Sequence, residues 1–163
     1  MPDTLALCKW LEQTSVGGGI RESLWLFPAI ETLHLLGMAV LVATITVFDL
    51  RLLGWVLHRE RFSTLAARVV PWSWAGFAVQ VVTGAMLFSS EAVKIYANPA
   101  FRLKMLLILL AGVQALVFHR TAYRKVATWD QSDIVPVGAK VAGGLSILLW
   151  IGIVAAGRFI GFV

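Results

Sequence analysis

Glu31 and His34 stand one helical turn apart inside WLFPAIETLHLLGMAVLVATITVFD, residues 25–49, a run otherwise made almost wholly of apolar side chains. A bilayer core of about 30 Å is crossed by roughly 20 apolar helical residues, so the run is long enough to be a span. An ionisable group inside a span marks a functional site by default. An imidazole offers a metal ion or haem iron a nitrogen ligand, and a neighbouring carboxylate can orient its second nitrogen or relay a proton.

At about 100° per residue, Glu31, His34, Met38, Ile45 and Asp49 share one face of this helix, and that face is expected to point inward. Lys104, Ile108, Ala111, Ala115 and His119 form the corresponding arc of a later span, polar at both ends and small in the middle. Such a middle leaves room for a neighbouring helix or a flat ligand. Gly76, Gln80, Thr83 and Gly84 fall on one side of the second span, and Arg158 closes the last. With a rise of about 1.5 Å per residue, His34 lies about 10 Å deep, Lys104 about 5 Å and His119 about 27 Å. His34 and Lys104 are thus neighbours in depth, whereas His34 and His119 are too far apart to clamp one iron.

The elements that position these residues follow from the hydropathy pattern. Spans are expected over about residues 24–48, 71–90, 100–122 and 141–160, with a short amphipathic surface helix over about 2–15 that Gly17, Gly18 and Gly19 break. Ser23 is a candidate N-cap of the first span, whose pattern runs on through DLRLLGWVLH. Pro71 and Pro99 are read as starts of the second and third spans. The expected fold class is all-α: an integral membrane four-helix up-and-down bundle in a single domain. The stretches 49–70 and 120–140 each carry four Lys or Arg residues outside His58, and the intervening loop carries Lys94 alone. These basic loops are expected on the cytoplasmic side, with both termini outside.

Composition agrees. Charged residues make up 14% and hydrophobic residues 59% of the 163 positions, against about 25% charged in soluble domains. The net charge of +5 is scattered between apolar runs instead of forming one basic stripe, which reads as topology and not as nucleic-acid binding. Cys8 is the single cysteine, so neither an intrachain disulfide nor a cysteine-based metal cluster can form. A single Glu-x-x-His element does not make a di-iron carboxylate site.

WLFPAIETLHLLG, DLRLLG, PWSWAGF, NPAFRLKMLLILL and SILLWIGIVAAGR together resemble an uncharacterised family of small bacterial four-span membrane proteins. More distantly, His34 in its Leu-His context and Lys104 opening the third span resemble the HemJ type of protoporphyrinogen oxidase and the CopD copper-resistance membrane domain. The HemJ resemblance implies haem b and a role for His34 and Lys104. The chain departs from that pattern just before the lysine, where Arg102 and Leu103 replace a histidine, so the resemblance extends to the cofactor more than to the reaction.

Three readings follow. In the first, the protein lies in a bacterial inner membrane and binds one haem b. His34 is its axial ligand, Lys104 an opposite ligand or propionate partner, Arg158 a second propionate partner and Met38 a soft neighbour; Glu31 orients His34 or relays a proton. Electron transfer would be quinol- or porphyrin-linked, with an outer-side acceptor; a quinone, and a redox partner or a second copy of the chain in a homo-oligomer, are the partners this reading allows. In the second, the bundle handles copper or a small solute without haem, with His34, Met38, Met86 and Met105 as soft ligands. In the third, the protein is a structural or assembly subunit whose polar residues only fix helix register, with His34 bonded across helices or to Glu31. His119, beside Arg120, is foremost an interfacial histidine and only a weaker candidate for metal.

Overall fold

Capping chemistry decides where the helices begin and stop. The computed structural model describes residues 2–57, 60–130 and 135–162; His58 lies outside them. The chain opens with α1 (Pro2–Gln13) and α2 (Ser15–Glu22). The break between them falls at Thr14, whose Oγ1 accepts from the Gly17 amide at 3.2 Å. The glycine triplet, expected to end the surface helix, instead lies within α2. Gly17 is needed there for close approach, since a Cβ would come within 2.6 Å of the carbonyl oxygens of Leu11 and Ser89.

Four long helices follow: α3 (Leu26–Leu53), α4 (Phe62–Ser90), α6 (Pro99–Arg120) and α8 (Val137–Phe159), with short α5 (Ala92–Ala97), a 3-10 turn at Tyr123–Lys125 and α7 (Val126–Trp129) in the connections. Ser23 Oγ accepts from the amides of Trp25 and Leu26 ahead of α3. The helix ends at Gly54, whose φ of 76° permits the left-handed residue of a Schellman turn; Gly54 N donates to Arg51 O and Trp55 N to Leu50 O. The helical pattern read through DLRLLGWVLH therefore stops at Leu53. The second span starts nine residues earlier than the proline suggests. Pro71 is interior to α4, and both it and Ala67, whose carbonyl loses its donor, are exposed instead of buried against a neighbour. Pro99 does open its helix, behind Asn98 Oδ1, which accepts from Ala100 N and Phe101 N.

Packing follows the small residues. Helices α3 and α4 touch most extensively, and they cross where Gly37 meets Val79 and Gly76 meets the Leu41 backbone; a Cβ on Gly76 would stand 3.0 Å from Gly37 O. Gly143 brings α8 equally close to Asp49 and Leu52 of α3, and α6 lies along α8. The remaining seam, between α4 and α6, is closed only at its ends. At one end Phe88 and Phe101 stack at 5.4 Å. At the other, fully buried Phe62 meets Phe118 at 6.4 Å and Trp129 at 5.1 Å, with Phe48 and Tyr123 beside them. We call these the Asn98 end and the Phe62 end. Asn98 Nδ2 donates to Ile160 O at the first, where α1 and α2 also pack over α4 and α5.

The bundle's exterior is apolar: Leu35, Leu36, Leu106, Leu109, Leu148 and Ile151 are all more than half exposed. On a soluble protein so many outward leucines would promote association; on helices of this length they are a lipid-facing surface.

Candidate functional site

His34 sits on α3 toward the Asn98 end, half-buried against α4. All four residues expected on one side of the second span meet α3. Gly76 supplies the crossing, Gln80 Nε2 donates to the His34 carbonyl, Gly84 lies under the imidazole with its Cβ position 3.3 Å from His34 Cε1, and Thr83 Oγ1 stands 2.8 Å from His34 Nδ1. The Thr83 hydroxyl has one proton, which it donates to Val79 O at 2.5 Å. It can therefore only accept from Nδ1–H, and the imidazole tautomer follows: Nδ1 carries the proton and Nε2 keeps its lone pair.

Lys104 on α6 is partly buried and leans on α8, its Nζ 3.5 Å from where a Gly157 Cβ would stand, and it is close enough to His34 to act on it electrostatically. The two residues expected at similar depth are thus within electrostatic reach of each other. The rest of the expected cluster is dispersed. Glu31 is exposed, and the partner of His34 Nδ1 is Thr83, not Glu31. The Arg158 side chain is exposed too, with its guanidinium 5.2 Å from the centre of the Phe162 ring. Met38 and Met86 are partly buried, whereas Met105 is 49% exposed and turned away from the bundle interior. Among the described residues no three His, Cys, Asp or Glu side chains gather as a metal site.

A second polar position lies nearer the Phe62 end. The open α4–α6 seam forms a cleft of about 540 Å³ with α3 and α8 as its floor. Ile108, Ala111, Ala115 and His119, the arc read as small in the middle, all line it. His119 is exposed and stacks on Tyr123 at 5.0 Å. The floor holds Asp49, 3% exposed, facing Ser146 of α8. Asp49 Oδ2 is buried without a hydrogen-bond partner. Asp49 was legible as a member of the inward face of α3, but the cleft was not, because it arises from how α4 and α6 fail to meet. A further space of about 470 Å³ lies between α6 and α8, lined by Leu103, Leu107, Gly152 and Ala156 among others. Neither space is lined by His34.

Outside the spans, Asp130 bridges to α4: its carboxylate accepts from Ser63 N at 2.7 Å and Ser63 Oγ at 2.6 Å. Burial pushes this carboxyl up, but the Ser63 hydrogen bonds and the charges of Arg61 and Arg51 outweigh it and hold it below its ordinary value.

Four helices long and apolar enough to cross a bilayer, lipid-facing leucines and an interior with isolated polar sites define a multi-pass membrane protein. The chain belongs to DUF6644, a family of unknown function whose model matches residues 10–163. No curated protein and no solved structure matches it, and no likeness to HemJ or CopD is shown.

Proposed function

We propose that this protein is a haem b-binding electron-transfer protein of a bacterial inner membrane, with His34 as axial ligand. The observation that carries this reading is the His34–Thr83–Val79 chain. Ligating histidines commonly hold their second nitrogen in such a hydrogen bond, which fixes the ring and leaves Nε2 free to bind. Lys104 supplies a cation within electrostatic reach that would suit a propionate, and only as the neutral amine would it help hold the iron. Arg158 and Glu31 lie at the surface, where a propionate partner and a proton relay would be in contact with the interface. Haem supplies one-electron chemistry; the chain's part is to hold the imidazole in one tautomer and keep Lys104 near it. A quinol is the electron donor this reading calls for. The charge asymmetry of the basic loops supports a cytoplasmic Phe62 end.

A second reading has a specific observation in its favour: neither cleft reaches His34. In it, His34 and Thr83 only lock α3 to α4, and no haem is bound. An optical spectrum of the detergent-purified protein, oxidised and then reduced, separates the two. The first requires a Soret band that His34→Ala abolishes. A colourless protein, or a band unchanged in His34→Ala, refutes it.

A further inference from the structure

We infer that the α4–α6 cleft binds a hydroquinone taken from the bilayer, its ring lying among aromatic side chains and one hydroxyl donating to Asp49 Oδ2.

Asp49 Oδ2 is the one buried side-chain polar atom among the described residues that has no hydrogen-bond partner. A buried acceptor without a donor costs about 1–3 kcal/mol, more if charged. Ser146 of α8 hydrogen-bonds the Asp49 carboxylate and leaves Oδ2 without a partner; the other polar groups nearby do not supply one. Arg51, two residues on and equally buried, is turned the other way and gives Nε and Nη2 to Glu60 O at 3.2 and 3.0 Å. Gln114, on the cleft wall, gives its Nε2 to Ala142 O. Ser73, on the opposite wall, has its hydroxyl within reach of Thr44 Oγ1 at 2.9 Å and Val69 O at 3.3 Å and gives its one proton to one of them. Arg51, Gln114 and Ser73 are thus committed elsewhere, and Asp49 lines the floor of the cleft with Ser146 beside it.

The walls describe the rest of the occupant. Phe48, Trp74, Phe77, Phe118 and Trp150 border the space, which suits a flat ring. Both aromatic pairs that close the seam lie at its ends, so the cleft opens sideways between α4 and α6, where Trp74 is 66% and Leu116 49% exposed. An occupant entering there comes from the hydrocarbon phase. It must be lipid-soluble, planar and able to donate a hydrogen bond. A lipid acyl chain has no donor; a hydroquinone has the ring and two hydroxyls, and the imidazole of His119 offers a further polar contact on the same lining. None of the residues around His34 lines this cleft, so the site stands whether or not His34 holds haem.

The test uses the full chain in phosphatidylcholine nanodiscs, titrated anaerobically with tetramethylhydroquinone or with its dimethyl ether, which has no hydroxyl. Partitioning into empty nanodiscs is subtracted. The hydroquinone is expected to bind saturably and at least about tenfold more tightly than the ether, as for loss of one hydrogen bond to a charged or buried acceptor. Asp49→Leu should erase that preference. Gly112→Phe should abolish binding of both, and it is placed where an added Cβ meets nothing within 4 Å, so the fold has room for it. Uptake no greater than in empty nanodiscs, equal affinity for the two compounds, or wild-type binding in Gly112→Phe each overturns the inference. If Asp49→Leu does not fold, the two compounds on the wild-type protein and Gly112→Phe still decide.

Discussion

A single hydroxyl sets the chemistry of His34. Because Thr83 spends its proton on Val79 O, replacing it with valine removes the acceptor for Nδ1–H while keeping the shape. If His34 binds haem, Thr83→Val should weaken haem affinity about 10- to 100-fold, the usual effect of losing a ligand's supporting hydrogen bond, as read by haem retention during dilution. If the pair is only a lock between helices, the same variant should cost about 0.6 kcal/mol of stability and leave the spectrum blank. Asp130 is the other residue with a measurable consequence. Its carboxyl is held below its ordinary value, so its ionised form stabilises the folded state. That contribution is complete above about pH 4 and fades as pH falls through the lower folded value. The stability gap between wild type and Asp130→Asn, measured by thermal unfolding in detergent, should therefore close in acid; a gap that widens there would contradict this account. In the sequence His34 stood out as a candidate, since an imidazole in a span either binds a group or hydrogen-bonds across helices. Its partner did not: Thr83 lies 49 positions away, and intrahelical spacing favours Glu31, which the helix turns outward.

Small residues govern the elements. Gly76 faces the α3 backbone at its closest approach, with Gly37 O 3.0 Å from a would-be Cβ. Gly76→Leu should force α3 and α4 apart and lower stability by about 1–3 kcal/mol or more, as overpacking does, seen as a lower unfolding midpoint. Gly112→Leu, in open space, is the matched control and should be close to neutral. The four spans were readable because lipid demands long apolar runs; their ends were less so. Local rules treat Pro71 as a start and the Gly17–Gly19 triplet as a stop. Both fail where tertiary contact outweighs propensity: Gly17 nests against Leu11 and Ser89, and α4 runs on because Phe62, fully buried, anchors its first turn.

For the whole molecule, the Phe62 cluster closes one end of the bundle, joining α3, α4, α6 and α7. Phe62→Ala should destabilise the protein by about 3–5 kcal/mol, and the loss should appear as a lower unfolding midpoint with helix content kept at low temperature. The order of the four long helices and their up-and-down course follow from hydropathy and connection length. The open seam does not. Nothing in the local pattern of α4 or α6 states that Phe88 and Phe101 at one end, and Phe62 and Phe118 at the other, hold the two helices together while their middles stay apart.

That slit has a consequence for how occupancy must be counted. A site whose mouth faces hydrocarbon samples molecules per unit area of membrane, not per volume of buffer. Doubling the lipid at fixed total ligand halves what the site meets, although nothing in the aqueous phase has been diluted. The protein's occupancy thus reports the mole fraction of its partner within the sheet of lipid around it, and lateral diffusion, not passage through water, sets how fast that report is renewed.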